Sequence, residues 1–227
     1  MKKTIYGLTL LLMTTTAQAD LTGNLGYMSE YHFRGILQKV SSVSGGLDYE
    51  SGGFYAGTWA ADVDNGCFED EITEELICLD GLEVDLYFGY GTTVGDVDLS
   101  VGYTGYFYTG DFDDTYQEIN LGAGIGILSV EVAIGEYDAP PSDAICTDSE
   151  PPACSPSKSD YIYYALTLEK NGFYGKYAGF SEDFSGDYFE VGYGTTVAEI
   201  DLGIALVVDT IGTTESTVAN VLKIAGF

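Results

Sequence analysis

The sequence predicts an all-β protein, a closed antiparallel transmembrane β-barrel of about twelve strands with short periplasmic turns and longer extracellular loops. Three observations support this fold class. Apolar and polar residues alternate with a period of two, short and long connections alternate along the chain, and the N-terminus carries an export signal. The 30 Gly, 19 Tyr and 11 Phe residues favour strands joined by tight turns.

The first segment has the three parts of a secretory signal. Lys2 and Lys3 precede an apolar run over residues 5–13, and residues 17–19 (Ala-Gln-Ala) form a cleavage site. Residues 1–19 are therefore predicted to be a signal peptide. The apolar run is about half the ~20 residues that a membrane-spanning helix needs, and no later apolar run is long enough. Strands are therefore the predicted membrane-spanning elements.

Each predicted strand has one apolar and one polar face. In residues 82–88 the apolar side chains occupy the even positions, and Glu83, Asp85 and Tyr87 occupy the odd ones. Successive side chains of a strand point to opposite faces, so this period indicates a wall with two different sides. Alternating runs predict strands near residues 21–34, 38–50, 54–62, 82–91, 96–108, 116–125, 128–137, 161–170, 173–181, 188–196, 199–209 and 216–227.

Connection lengths favour a membrane barrel over a soluble sandwich, which also has one apolar face per strand. Short turns such as Asn171-Gly172, a strong hairpin signal, alternate with long connections, notably 63–81 and 138–160. Outer-membrane barrels have tight turns at one end, longer loops at the other and an even number of strands. Residues 20–227 are therefore predicted to form a single transmembrane barrel domain.

Four cysteines lie in the two long connections. Disulfides persist in exported proteins, and four cysteines allow three pairings. We favour the local pairing, Cys67 with Cys78 and Cys146 with Cys154, because it needs no crossing between distant loops. Neither spacing is CxxC and the chain has one histidine, so we expect no metal site and no cofactor.

A short sequence unit occurs twice. Residues 89–94 (GYGTTV) reappear at 192–197, and residues 53–55 (GFY) reappear at 172–174. The offsets are 103 and 119 residues, and their difference of 16 fits an insertion in the connection 63–81. No P-loop lysine follows the glycines, so we interpret the unit as a hairpin reused at a barrel turn and not as a phosphate-binding loop.

Residues 24–64 resemble the TorF family of porins from Gram-negative bacteria. The resemblance is carried by the blocks Asn24–Ile36 (NLGYMSEYHFRGI) with Gln38, Gly46–Tyr49 (GLDY) and Gly53–Ala60 (GFYAGTWA). It implies an outer-membrane β-barrel with an unproven transport role and names no substrate. His32 stands where that motif is expected to have a basic residue, so no role tied to a positive charge is transferred to this position.

The alternation assigns the charged wall residues to the interior, because the lipid face of a membrane barrel must be apolar. Rings of carboxylates favour cations through a focused negative potential. We therefore expect a porin-like passive channel for small hydrophilic solutes that favours cations or zwitterions. The predicted pore-lining residues are Glu30, Arg34, Asp48, Glu83, Asp85, Asp98, Glu118, Glu131, Lys176, Glu190 and Asp201.

A non-conducting barrel is the alternative interpretation. A small barrel can be filled by side chains with no continuous pore, and Arg34 and Lys176 would then be counter-ions of neighbouring carboxylates. The protein would in that case be a structural or surface-receptor barrel. Its acidic loop around residues 63–81 would attract divalent cations, which prefer oxygen ligands, although a solvated, disulfide-tied loop is the simpler interpretation.

Two other classes are disfavoured. The chain has 36 acidic against 8 basic residues, a net charge of −28, which would repel nucleic acid. Its one histidine, His32, has no nucleophile motif beside it, so we expect no hydrolase triad and no enzymatic activity. The expected partners are outer-membrane lipid, small hydrophilic solutes or cations, and the outer-membrane assembly machinery.

Overall fold

The structure is a computed structural model, and it describes residues 19–69, 76–110, 112–138, 145–146, 154–155, 158–198, 200–209 and 217–226. The predicted signal peptide, apart from Ala19, lies outside these residues. The elements formed within them are all β-strands. No helix in the described ranges is long and apolar enough to cross a membrane.

Fourteen strands are present in the described chain. Twelve of them form one antiparallel sheet, and β8 and β9 form a separate two-stranded sheet. The prediction of an all-β fold with twelve antiparallel strands is therefore confirmed. In chain order the strands are β1 (Asp20–Phe33), β2 (Ile36–Ser51), β3 (Phe54–Glu69), β4 (Leu76–Val94), β5 (Val97–Tyr108), β6 (Tyr116–Ile125), β7 (Leu128–Asp138), β8 (Ile145–Cys146), β9 (Cys154–Ser155), β10 (Lys158–Lys170), β11 (Phe173–Glu182), β12 (Gly186–Val197), β13 (Ile200–Asp209) and β14 (Thr217–Gly226).

The strand order of the large sheet returns to its starting point. Each strand pairs with its neighbour in sequence, and β7 pairs with β10 across the segment that holds β8 and β9. β1 pairs with β2 along most of its length and with β14 over four residue pairs, from Leu25 opposite Gly226 to Met28 opposite Lys223. Every strand of this sheet therefore has a neighbour on both sides, and the sheet has an inner and an outer face.

The connections fall at two ends, here named the short-turn end and the loop end. The short-turn end holds the tight turns at residues 52–53, 95–96, 126–127 and 171–172, together with the start of β1 and the end of β14. The loop end holds the connections 34–35, 70–75, 109–115, 139–157, 183–185 and 210–216. The alternation of short and long connections agrees with the predicted pattern, apart from two tight connections at the loop end.

Two predicted boundaries were wrong. Residues 63–69 and 76–81 were assigned to a long loop, but β3 and β4 remain paired up to Glu69 opposite Leu76. Arg34 was assigned to the wall of β1, but it lies in a tight turn, where Arg34 and Gly35 have φ values of 49° and 89°. Two successive positive φ values are typical of a two-residue type I′ hairpin turn. This turn joins the end of β1 directly to the start of β2.

The extended β3–β4 hairpin explains one of the predicted disulfides. Cys67 lies opposite Cys78 in the register of the two strands, and the two residues form a disulfide. The pairing of Cys67 with Cys78 is therefore confirmed. Cys146 and Cys154 are direct backbone partners of the β8–β9 pair, but the bond between them lies outside the described side chains and stays a prediction.

We expect peptide mapping of the oxidised protein to give two linked peptides, one joining Cys67 to Cys78 and one joining Cys146 to Cys154. The physical reason is that backbone pairing already brings each couple together before the bond forms. Mass spectrometry of a non-reducing digest at low pH, with a reduced digest as control, measures both links. A peptide that joins Cys67 or Cys78 to Cys146 or Cys154 would contradict the assignment.

The repeated sequence unit has a defined place in the sheet. Phe54 pairs with Tyr90 between β3 and β4, and Phe173 pairs with Tyr193 between β11 and β12. In the ring order that starts at β1, β3 and β4 are third and fourth, and β11 and β12 are ninth and tenth of twelve. The two copies therefore lie half a turn apart around the sheet, which is a pseudo-two-fold relation.

Candidate functional site: the interior of the sheet

The two faces of the sheet differ in polarity as the alternation predicts. On β4 the outer side chains Leu86 and Phe88 are 51% and 53% exposed, whereas the inner Asp85 is 2% exposed. Large apolar side chains are exposed on the outer face of the other strands with described side chains. Exposed apolar surface of this extent marks a face that contacts something other than water, so the polar residues of the inner face are the candidate site.

Toward the loop end the interior is filled by buried side chains, which we call the closed layer. One cluster gathers residues of β7 and β10–β13, and a second gathers residues of β1 and β3 with the loop residue Phe112. Phe184, in the β11–β12 connection, stacks on Tyr161 with 5.0 Å between ring centroids. The main members of the closed layer are Met28, Tyr31, Val63, Glu83, Asp85, Tyr106, Glu118, Tyr161, Tyr163, Tyr188 and Val207.

Arg34 enters the closed layer from the β1–β2 turn and crosses to β6. Its two terminal nitrogens each donate a 2.7 Å hydrogen bond to a different oxygen of Glu118. The guanidinium also lies over the ring of Tyr163 on β10, 4.0 Å from its centroid. The Arg34 side chain is 7% exposed and that of Glu118 is 0% exposed. This bidentate pair therefore ties the turn at one side of the interior to the strands on the other side.

The remaining oxygen contacts of Glu118 come from tyrosines. Tyr106 on β5 donates to Glu118 Oε1 at 2.7 Å, and Tyr161 on β10 donates to Glu118 Oε2 at 2.9 Å. Four donated hydrogen bonds thus surround this buried carboxylate. A buried charge is tolerated when it is paired and hydrogen-bonded in this way, so Glu118 has a complete set of partners.

Glu83 and Asp85 lack such a set. Both lie on the inner face of β4, and Tyr31 on β1 donates to Glu83 Oε1 at 2.5 Å. The other oxygen, Glu83 Oε2, and Asp85 Oδ1 are buried and have no hydrogen-bond partner among the described residues. Each unpaired buried polar atom carries a desolvation cost of about 1–3 kcal/mol or more. These two carboxylate oxygens therefore destabilise the closed layer unless a hydrogen-bond donor or a cation binds to them.

Below the closed layer the interior is accessible to water, and we call this region the acidic chamber. It is formed by Asp48, Glu131, Lys176 and Glu190. The side chains of Glu131, Lys176 and Glu190 are 34%, 19% and 14% exposed. Glu131 and Lys176 are the fourth residues of β7 and β11, close to the turns that precede these strands. Inner-face side chains that keep contact with solvent show space in the interior at this level.

Few bases balance the acidic chamber. Lys176 Nζ lies 4.0 Å from Glu190 Oε2, and Glu131 Oε1 lies 3.8 Å from Arg34 Nη2. Asp48 accepts hydrogen bonds from Tyr87 and, at 3.3 Å, from Asn24. Lys176 and Arg34 thus face the three carboxylates of the chamber and Glu118 of the closed layer. The chamber is therefore electronegative, which favours cations.

The other predicted pore-lining residues lie outside these two regions. Asp98 and Asp201 accept hydrogen bonds from Thr93 and Thr196 across two short turns, at equivalent places in the repeat. Glu30 contacts His32 Nε2 at 3.4 Å near the loop end. These three carboxylates therefore stand toward the ends of the interior. No group of three or more His, Cys, Asp or Glu side chains in the described ranges has a geometry that holds a metal ion.

The tyrosines of the closed layer were missed by the sequence analysis. Tyr31, Tyr106 and Tyr161 supply hydroxyl donors to Glu83 and Glu118. Their parity places Tyr106 and Tyr161 on the inner face. Parity does not predict which carboxylate accepts a hydrogen bond from each hydroxyl, because these hydrogen bonds join residues up to 52 positions apart in the sequence.

Comparison with known proteins gives a family and no function. A family model described as "Bacterial protein of unknown function (Gcw_chp)" matches residues 13–222. Among curated proteins, none matches the sequence. The match extends over the twelve-strand sheet and therefore covers both the closed layer and the acidic chamber.

Proposed function

Because this chain belongs to the Gcw_chp family of bacterial proteins, whose function is unknown, we propose its role from its geometry: a closed outer-membrane β-barrel that forms a narrow channel favouring small cations. The observation that carries the proposal is the pairing of an apolar outer face with an acidic interior. The resemblance of residues 24–64 to the TorF porins points the same way.

The outer face supports the membrane location. Outer-membrane barrels carry an apolar band flanked by aromatic residues at the interfaces. Phe54 and Tyr90 lie near the short-turn end on one side of the barrel, and Phe173 and Tyr193 occupy the equivalent place on the other side. All four side chains are exposed. The repeated unit thus contributes two matching segments of an interfacial aromatic belt.

The acidic chamber supports the ion preference. A negative potential inside a wall of low dielectric constant raises the local concentration of cations and lowers that of anions. Glu131 and Glu190 are partly exposed within the chamber, and Lys176 lies near both. A cation that enters from the short-turn end therefore meets carboxylates before it reaches the closed layer.

The closed layer supports a narrow path with its constriction at Arg34. The Arg34–Glu118 pair crosses the interior, and the side chains around it are almost fully buried. A wide, permanently water-filled pore is therefore disfavoured. Movement of the β1–β2 turn, which carries Arg34, would open a path without disturbing the wall, because the turn is linked to β6 only through side chains.

The direct test is the reversal potential of the purified barrel in a planar bilayer under a KCl gradient. We expect a reversal potential of the sign that indicates preference for K⁺ over Cl⁻. Glu131→Gln is expected to reduce this preference because the residue lies in the chamber. The matched control is Asp96→Asn, which removes an exposed carboxylate from a short turn. Salt screens the charge of such an exposed group, so this variant is expected to keep the wild-type preference.

Two outcomes would overturn the proposal. A preference for anions would show that the acidic chamber does not control permeation. The absence of any conductance, in wild type and in variants of Arg34, would show that the closed layer blocks the interior permanently. The second result would favour the non-conducting structural or receptor barrel, whose function would then rest on its acidic loops.

A further inference from the structure

The closed layer contains two carboxylates that the proposed channel does not otherwise use. Glu83 and Asp85 are 0% and 2% exposed. Glu83 Oε2 and Asp85 Oδ1 have no hydrogen-bond partner in the described part of the chain. The residues are two positions apart on one strand face, about 7 Å between Cα atoms, so their side chains can converge on one small ion.

Within the described ranges no side-chain cation forms an ion pair with Glu83 or Asp85, although Arg34 acts on both electrostatically from beyond ion-pair distance. Arg34 is the nearest base, and both of its terminal nitrogens are hydrogen-bonded to Glu118. Lys39 forms its ion pair with Asp62, and Lys176 lies beside Glu190. Desolvated carboxylates without a partner are costly, and a bound cation removes that cost by supplying the missing charge.

The surroundings favour one class of cation. Tyr31 donates its hydroxyl proton to Glu83 Oε1, which leaves the lone pairs of the hydroxyl oxygen available to a cation bound at that carboxylate. In the register of the sheet, Trp59 lies opposite Asp85 on one side and Tyr106 lies opposite it on the other. Oxygen ligands select hard cations, and aromatic rings add favourable cation–π contacts.

A divalent ion fits this arrangement poorly. Ca²⁺ takes six to eight oxygen ligands and Mg²⁺ takes six in an octahedral arrangement. The described residues hold no group of three or more acidic, His or Cys side chains placed to bind a metal ion. Two carboxylate oxygens and a hydroxyl match the lower charge and looser geometry of an alkali cation.

We propose that Glu83 and Asp85 form a binding site for a monovalent alkali cation inside the barrel. This inference rests on the proposed function, because it takes the permeant ions of the channel to be monovalent cations. The site lies on the inner face of β4, within electrostatic reach of the Arg34–Glu118 pair. A cation held there stabilises the closed layer and occupies the position next to the constriction.

The test compares the thermal unfolding midpoint of the purified, detergent-solubilised protein in KCl and in N-methyl-D-glucamine chloride at equal ionic strength. The large organic cation cannot enter a site lined by side chains that are 0–2% exposed. We expect a midpoint that is higher in KCl by roughly 3–6 °C when K⁺ is at ten times its Kd. Equal midpoints in the two salts would overturn the proposal.

Variants assign the effect to the site. The double variant Glu83→Gln/Asp85→Asn is expected to lose the difference between the salts, because amides supply no negative charge. Asp98→Asn is the matched control, since Asp98 is an inner-face carboxylate that already accepts a hydrogen bond from Thr93; it is expected to keep the difference. A difference that persists in the double variant would place the cation elsewhere and contradict the assignment. The wild-type comparison decides the question even when the double variant fails to fold.

The outcome is separable from that of the bilayer experiment. A midpoint that is equal in both salts but rises on acidification would show that the two carboxylates share a proton, and this result would contradict the cation site. A K⁺-dependent midpoint without conductance would retain the site and reject the channel. Conductance with equal midpoints would retain the channel and reject the site.

Discussion

Replacing Arg34 by methionine is expected to lower the free energy of unfolding by about 3–5 kcal/mol, the cost of breaking a buried ion pair by removing one partner. Glu118 is 0% exposed and would lose both hydrogen bonds from the guanidinium. Methionine keeps most of the apolar length of the side chain, so the loss measures the charge and the hydrogen bonds. Urea unfolding in lipid vesicles, followed by the fluorescence of Trp59, the single tryptophan, gives the value.

Two control variants separate the buried pair from ordinary surface effects. Lys39→Met removes the partner of Asp62, which is 31% exposed, and is expected to cost less than about 1 kcal/mol because solvent screens that pair. Adding Glu118→Gln to Arg34→Met is expected to recover part of the loss, since no unpaired charge is then left buried. An Arg34→Met variant as stable as wild type would show that the pair contributes nothing to the closed layer.

Conductance gives a second readout of the same substitution. Removing the guanidinium breaks the link between the β1–β2 turn and β6, so we expect a higher single-channel conductance in Arg34→Met than in wild type. The effect is expected at equal salt and voltage in the planar bilayer. Unchanged conductance in a folded Arg34→Met barrel would show that the narrowest point of the channel lies at other residues.

Substituting Gly89 by alanine is expected to destabilise the protein by about 1–3 kcal/mol, the range for an added carbon in a tightly packed site. A Cβ at Gly89 would lie 2.3 Å from Tyr55 Oη and 2.5 Å from the backbone oxygen of Val101. The inner-face ring of Tyr55 lies against this glycine, so the ring and the neighbouring strand must both shift. The change in unfolding free energy is measured as for Arg34.

The matched control lies two residues further along the same strand face. A Cβ at Gly91 would meet only the backbone oxygen of Leu99, at 3.8 Å, which is an ordinary contact. Gly91→Ala is therefore expected to be neutral or slightly stabilising. Gly192→Ala is expected to behave like Gly89→Ala, because its Cβ would lie 2.5 Å from the ring of Tyr174. Equal stabilities of the Gly89 and Gly91 variants would contradict this account of the Tyr–Gly contacts.

The fold was predictable from local patterns. Period-two alternation identified all twelve strands of the large sheet, and β6 begins and ends at the predicted residues 116 and 125. The alternation identifies strands because successive side chains point to opposite faces of the sheet, one apolar and one polar, so that polarity changes with every residue. The Cys67–Cys78 bond was also predictable from local sequence, because its two residues are only eleven positions apart.

The errors occurred where pairing overrides local pattern. Residues 63–69 and 76–81 flank a strongly acidic segment and were assigned with it to a loop, yet their backbone stays in the ladder as far as Glu69 and Leu76. Arg34 continues the rhythm of β1, but a two-residue turn places it at the tip of the hairpin. Side-chain polarity reports burial, whereas backbone pairing depends on the strand beside it.

The sequence by itself determined the all-β class, the strand boundaries to within a few residues for most strands, and the inward parity of residues such as Glu83, Glu118 and Glu131. Only the tertiary structure decided which of these carboxylates are paired. Arg34 reaches Glu118, 84 positions away, and forms no ion pair with Glu83 or Asp85. The physical reason is that parity is a property of one strand, whereas an ion pair across the interior depends on the register of several strands and on the reach of a side chain from a turn.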